Sequence, residues 1–411
     1  MDVLHEQCCG IDIGQAEVVA CVLIGPAGHR VRKEIRKFRT FVAALEELRD
    51  WLLEQGCTHV VMESTGVYWM PVYTVLEGHF ELVVGNARHI KNVPGRKTDV
   101  KDAEWLAQLL RHGLIAPSFV PPKEIRELRD LTRFRRKLVE AQTSERNRTL
   151  KLLEKANIKL ASVASNVFGT SGMLMLRALA EGKSSAAEMA QLAHGRLRVK
   201  QELLVLALSG RVEAHHRMLL ATQLRRLEAH AEDLRSLDER IEVKIAPYKR
   251  YRDRLIQIPG IDRVVANALI AELGVDMTVF KSARHCAAWA GVAPGNNESA
   301  GKRGPTTSRK GNIHLKTLLV EAAIAAGRVK KSYFSAKFQR LRARRGYKRA
   351  AMAIAHKLLI VAFNMLAKET DYQDLGLTYL DSLDKSRNVR HIVARLERMG
   401  YVVNLEEKRT A

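Results

Sequence analysis

The strongest constraint on the fold is a change of hydrophobic period along the chain. Up to about residue 118, short apolar runs of strand length alternate with stretches of helical spacing. From residue 123 to 245, apolar positions recur every three or four residues instead. A period of two places side chains on alternate faces of a sheet, and a period near 3.6 places them on one helix face, so the two halves demand different architectures. CCGIDIGQAEVVACVLI (8–24) reads as a β-hairpin opening a sheet, and HVVMES (59–64) and ELVVGN (81–86) read as buried strands. FRTFVAALEELRDWLLEQ (38–55) and DVKDAEWLAQLLRHG (99–113) have helical spacing, the second ending at a Gly stop signal. Strands alternating with helices make an α/β domain over 1–118, closed by PSFVPP (117–122).

The helical half divides further. Ile125, Leu128, Leu131, Phe134 and Leu138 form one stripe. Leu220, Leu224, Leu227, Ala231, Leu234, Leu237 and Ile241 follow one another in steps of four or three, the spacing of a coiled coil. Residues 119–248 are therefore expected to be a long helical arm, with an ordinary helical bundle as the alternative. A loop-rich basic unit is expected over 249–370 and a mixed-charge tail over 371–411.

Charge decides the class of partner. The chain has 411 residues, 68 Lys and Arg against 45 Asp and Glu, and a net charge of +23. Such a surplus points to a polyanion, either nucleic acid or an anionic membrane. The longest apolar run, AAMAIAHKLLIVAFNMLA (350–367), carries His356 and Lys357 at its centre and falls short of the ~20 residues a span needs. It reads as a buried helix, which leaves nucleic acid as the partner and no membrane. Five cysteines at 8, 9, 21, 57 and 286 show no zinc-ligand spacing, and the N-terminus lacks a signal peptide's basic start. Reduced thiols and a cytoplasmic, nucleoid-associated protein are expected.

Three motifs carry chemistry. Asp12 lies mid-strand in GIDIG, Glu63 ends a strand, and Asp99 and Asp102 stand three apart at a helix start, on one helical face. Four acids converging above a sheet suit two divalent cations at a phosphate. Taken singly, Asp99 and Asp102 also suit a helix dipole behind Thr98 as N-cap. Lys91, Arg96 and Lys97 flank them in HIKNVPGRKTDVKD, beside Lys101, as partners for a polyanionic substrate. The second motif, LIQIPGIDRVVANALIAELG (255–274), has the pattern of a helix–hairpin–helix, in which the Pro259-Gly260 turn offers backbone N–H groups to phosphates. The plain reading is an αα-hairpin. The third is a Gly-rich basic loop, NNESAGKRGPTTSRKGN (296–312), followed by a helix with Lys316. A hydroxyl there can attack a phosphodiester while Lys302, Arg303, Arg309 and Lys310 stabilise the charge. The residues alone do not choose among Ser299, Ser308, Thr306 and Thr307. Within 301–350 there are 15 Lys and Arg and one acid, Glu321.

GIDIG, VMESTGVYW and GRKTDVKDAEWLAQLLRHG together resemble the N-terminal RuvC-like, DEDD-type domain of insertion-sequence family 110 transposases. IPGI…ALIAELG…AAWAGVAPG…ESAGK…RKGN…LKTLLVEAA resembles that family's C-terminal transposase domain, and Piv-type DNA invertases are similar. The resemblance implies an RNase H-like α/β domain, a helical coiled-coil arm and a mostly α transposase domain with the helix–hairpin–helix. It implies that Asp12, Glu63, Asp99 and Asp102 hold Mg²⁺ and that Ser299 is the nucleophile, although this chain has Ser299-Ala300-Gly301 where Ser-Gly is usual. It further implies DNA as substrate, a guide (bridge) RNA as partner and a homo-oligomer, dimer or tetramer. A hydrolytic RuvC-like nuclease and a non-enzymatic nucleic-acid-binding protein are the alternatives. An actin-like kinase explains neither the second motif nor the basic C-terminal half.

Overall fold

The computed structural model describes residues 2–64, 66–85, 102–295, 298–299, 302–303, 308, 310–383 and 385–405, with backbone alone at 298–299, 302–303 and 386–388. Two compact units divide the chain, Met1–Val120 and Pro121–Ala411.

The first unit is a five-stranded mixed sheet in the order β3-β2-β1-β4-β5. Strands β1 (Gln7–Ile13), β2 (Glu17–Ile24) and β3 (Arg32–Arg39) are antiparallel neighbours, and β4 (His59–Glu63) and β5 (Glu81–Gly85) continue from β1 in parallel. Residue alternation sends Cys9, Ile11, Val60 and Met62 to one face, where α1 (Val42–Glu54) and α2 (Trp69–Leu76) cover them with Leu45, Leu48, Trp51 and Leu76. Cys8, Cys21 and Val61 go to the other face, against Leu106, Ala107 and Leu110 of α3 (Asp102–Arg111). Residues 117–118 return to the β5 edge, with Ser118 N donating to Val84 O at 2.7 Å.

The hairpin and both inner strands lie where the apolar runs place them. Strand β3 differs from expectation, because residues 38–39 end a strand and the helix starts only at Val42. Its sequence RKEIRKFR carries only Ile35 and Phe38 as apolar markers, and long basic side chains cover its exposed positions. An edge strand needs little apolar content when it is paired along one side only.

The second unit takes in the arm, the C-terminal helices and the tail. Helix α4 (Lys123–Lys155) pairs with α7 (Ala214–Ile245). The pairs Lys244–Glu127, Arg135–Asp238 and Arg226–Glu145 fall in opposite order on the two helices, so they are antiparallel. Leu220, Leu224, Leu227, Leu237 and Ile241 of the heptad-like stripe are buried. The stripe with coiled-coil spacing is thus used largely within one chain, against α4. At the outer end, α5 (Thr170–Glu181) and α6 (Gln201–Leu208) close a small core with Leu152, Met175, Leu176, Leu204 and Leu224.

The basic unit is mostly helix, as the resemblance implies, with its loop-rich part confined to the stretch between α10 and α11: α8 (Lys249–Ile256), α9 (Arg263–Leu273), α10 (Ala283–Trp289), α11 (Ile313–Ala326), α12 (Tyr333–Arg345) and α13 (Tyr347–Lys368), followed by α14 (Lys385–Arg398). By length and composition α13 could cross a membrane, but Ile354, Leu358, Leu359, Ala362 and Phe363 are buried in the protein, as a core helix requires.

Candidate nucleic-acid cleavage site

The parallel register of β1 and β4 runs from Cys8↔His59 to Ile11↔Met62. One step further along the same register sets Asp12 beside Glu63, on strands that lie about 4.8 Å apart. By alternation both acids follow Cys8, Gly10 and Val61 onto the face that α3 covers. The third acid, Asp102, is the first residue of α3. Gly10 lets that helix sit directly on the sheet, because a Cβ there would lie 2.2 Å from Ala103 O and 2.3 Å from Ala107 N. At the other end, Arg111 O accepts from Leu4 N at 2.8 Å, and Arg111 Nη2 donates to Gly25 O at 2.6 Å. Helix α3 therefore runs antiparallel to β1, and its acidic N-terminus lies toward the strand end that carries Asp12. Asp12, Glu63 and Asp102 share one face and one end of the sheet, each half-buried. Asp99, Lys91, Arg96 and Lys97 lie outside the described residues.

Among the described residues, the group whose His, Asp or Glu ligand atoms all come within 4.8 Å of one another is Glu213, His215 and His216. Helix capping accounts for it. Glu213 N donates to His216 Nδ1 at 3.2 Å, while the Glu213 side chain accepts from the His216 backbone. Asp12, Glu63 and Asp102 converge less tightly than that.

In the second unit, Ser299 ends strand β6 (Glu298–Ser299), which pairs antiparallel with β7 (Lys302–Arg303). The register sets Ser299 opposite Lys302 across a two-residue connection. Both ends of the surrounding loop are anchored. Pro294 bridges to Ser308, and Asn312 N donates to Trp289 O at 3.0 Å. Lys316 Nζ donates to Ser308 Oγ at 2.7 Å, so the competing serine serves as an anchor. Lys310 is exposed, and Arg309 lies outside the described residues.

Sequence reasoning missed the group that holds this loop's far end. Glu272 of α9 is 3% exposed. Arg133 Nε and Nη2 grip its two oxygens at 2.7 and 2.8 Å, and Asn312 Nδ2 donates to it at 2.6 Å. Arg129 stands 3.6 Å away and also donates to the Ala271 and Glu272 carbonyls. Burial raises the Glu272 carboxyl, but the Arg133 hydrogen bonds, the Arg129 and Arg133 charges and Asn312 outweigh it and hold the group below its usual range. Burial lowers Arg129 to about 10. Asn312 in turn caps α11, its Oδ1 accepting from His314 N and Leu315 N. The signal was a lone acid inside the apolar ALIAELG run, with arginines at i and i+4 on another helix. A cavity of about 540 Å³ opens beside this group. The arginines that line it are matched by acids, Arg135 by Asp238 and Arg136 by Glu321.

The Pro259-Gly260 turn has a packing role. Gly260 has φ +88°, and a Cβ there would lie 2.5 Å from Ala322 O and Ala326 N of α11. The first turn of α9 is capped by Asp262, whose side chain accepts from Val265 N at 2.8 Å.

A mixed sheet with acids at one end of one face, followed by a helical unit bearing a basic serine hairpin, has the parts of a DNA transposase. Residues 9–158 match the family model of DEDD-type IS110 transposases, and residues 252–339 match the model described as transposase, IS116/IS110/IS902 family. A probable family 20 transposase of Pseudomonas aeruginosa is 27% identical over 80% of this chain and 89% of the relative. The transposase for insertion sequence element IS1111A of Coxiella burnetii is 25% identical over 78% of this chain and 80% of its own. A putative transposase of Sinorhizobium fredii, y4pF/y4sB, is 31% identical over 34% of this chain and 37% of its own. The chain belongs to the IS110 family of transposases, and DNA is the partner that the family implies.

Proposed function

We propose that the chain is a site-specific recombinase that moves an insertion sequence by cutting and rejoining DNA through a serine–DNA intermediate. The register that sets Asp12 beside Glu63, with Asp102 at the start of α3 on the same face, carries this reading. The strand order, three antiparallel strands followed by two parallel ones, supports an RNase H-like domain. Asp12, Glu63, Asp99 and Asp102 offer hard carboxylate oxygens, the donor set that suits Mg²⁺. When bound, Mg²⁺ polarises the phosphate and stabilises the departing oxygen.

Ser299 Oγ attacks phosphorus, forming the P–Oγ bond as the P–O3′ bond breaks. Its proton ends on the released 3′ oxygen. A 3′ hydroxyl from the partner strand then attacks the phosphoserine, restoring the serine and a phosphodiester, so no phosphodiester is lost. Lys302 and Arg303, paired with Ser299 and Glu298 in the hairpin register, and Arg309, Lys310 and Lys316 would carry the charge of the attacked phosphate. Lys91, Arg96 and Lys97 would hold the substrate beside the acids. A guide RNA and a homo-oligomer complete the reading, the acids and the serine belonging to different units of the chain.

Two variants test it. The double change Asp12→Asn, Glu63→Gln should abolish excision and integration in a plasmid assay and leave DNA binding intact. Wild-type recombination by that variant would overturn the metal assignment. Ser299→Ala should abolish a denaturation-stable protein–DNA adduct. An adduct that persists would move the nucleophile elsewhere, and metal-dependent cutting with no adduct in the wild type would favour the hydrolytic nuclease. RNA sequenced from protein purified out of its own host tests the guide.

A further inference from the structure

The end of α12 and the start of α13 meet at Gly346, which has φ +82° and open space around it. Around this tip stand Arg342, Arg344, Arg345, Lys348 and Arg349, all exposed. None of the five forms an ion pair among the described residues, whereas the neighbouring Arg340 is taken by Asp381. The sequence has no acid from 322 to 368, so no neighbour in the local sequence neutralises them. Tyr347, 44% exposed, packs edge-on against Phe338 with ring centroids 5.4 Å apart and stiffens the tip.

Helix electrostatics explain only half of this cluster. Arg342, Arg344 and Arg345 sit in the last turn of α12, where cations complement the dipole. Lys348 and Arg349 sit in the first turn of α13, where cations oppose it. Five like charges on two adjoining helix ends repel one another with no internal return. The arginines of the cavity beside α4 are matched one by one with acids, and these are not. Such a patch is stabilised when an external polyanion supplies the missing charge.

We propose that the α12–α13 tip is a backbone grip for duplex DNA, contacting phosphates without reading bases. It lies outside the loop proposed to carry the chemistry. The grip rests on charge complementarity to the DNA that the family implies, and needs neither the metal nor the serine. The five cations fall within eight residues, so neighbours share phosphates, and about two to three phosphates are expected to be engaged.

The test is binding of a 30-base-pair duplex of arbitrary sequence to the full chain, by fluorescence anisotropy in EDTA, across a salt series. EDTA keeps the measurement independent of cleavage, so failed recombination and failed binding are distinguishable. Changing Arg342, Arg344, Arg345, Lys348 and Arg349 to Gln should make the slope of log K against log salt shallower by about two to three, at about 0.9 per phosphate lost. A set in which the four arginines become Lys should keep the wild-type slope. If the Gln set loses its thermal transition, the single changes Arg345→Glu and Lys348→Glu serve as the readout, each flattening the slope by about one. An unchanged slope overturns the proposal. So does a loss confined to a structured RNA hairpin assayed in parallel.

Discussion

Glu272→Ala removes the carboxylate that joins α4, α9 and the cap of α11. The change deletes the two-pronged contact with Arg133 at 2.7 and 2.8 Å and the Asn312 contact at 2.6 Å. It also removes the carboxylate that stands 3.6 Å from Arg129, whose side chain is 14% exposed, and leaves that guanidinium beside Arg133. Breaking a buried pair by deleting one partner costs about 3–5 kcal/mol. The cost here belongs near the low end, about 3 kcal/mol, because Arg133 is 31% exposed and can regain water. Arg129 also keeps its bonds to the Ala271 and Glu272 carbonyls, which belong to the backbone. At about 2–4 °C per kcal/mol for a unit of this size, Tm should fall by about 6–12 °C, read by calorimetry at pH 7. The pH dependence has a definite sign. The folded carboxyl lies below its usual range, so its stabilisation is complete above the unfolded value near 4.3 and is lost as pH falls through the folded one. The gap between wild type and variant should close in acid. Replacing the pair together, Arg133→Met with Glu272→Leu, should recover part of the loss, since apolar groups of similar size can substitute for a buried ion pair. A Tm within 2 °C of wild type for Glu272→Ala at pH 7 would refute the reasoning.

Two further outcomes follow from packing. Gly10→Ala places a Cβ 2.2 Å from Ala103 O, so it should displace α3 from the sheet, lower the Tm and abolish recombination together; a variant with wild-type Tm and activity would show that α3 is not seated on Gly10 as described. Burial pushes the Cys8 thiol to about 11 and those of Cys21, Cys57 and Cys286 to about 12, so the native protein should react with iodoacetamide at pH 8 far more slowly than the urea-unfolded chain, and rapid native labelling counted by mass spectrometry would contradict that burial.

Much of the first unit was legible because its inner strands are apolar on both faces, and such runs announce themselves. Asp12 and Glu63 stood out for the same reason, as charges among residues that otherwise avoid water. Strand β3 did not stand out, since an edge strand covered by Arg and Lys stems loses the alternation that marks a strand. The heptad-like stripe of α7 was correctly an apolar helix face, but periodicity does not say which helix will cover it. Here α4 follows the same spacing, lies antiparallel in the same chain and covers it.

The sequence by itself determined where the inner strands and the long helices lie, which acids are candidates and that a polyanion is the partner, because period, punctuation and net charge are local or additive properties. Only the tertiary structure decided that Asp12 stands beside Glu63, that Gly260 is pressed on α11, and that Glu272 ties the arm to the cap after the serine loop. Those facts depend on register and on close approaches between residues far apart in the chain. They are set by packing, and a linear pattern contains no distance between one helix and the next.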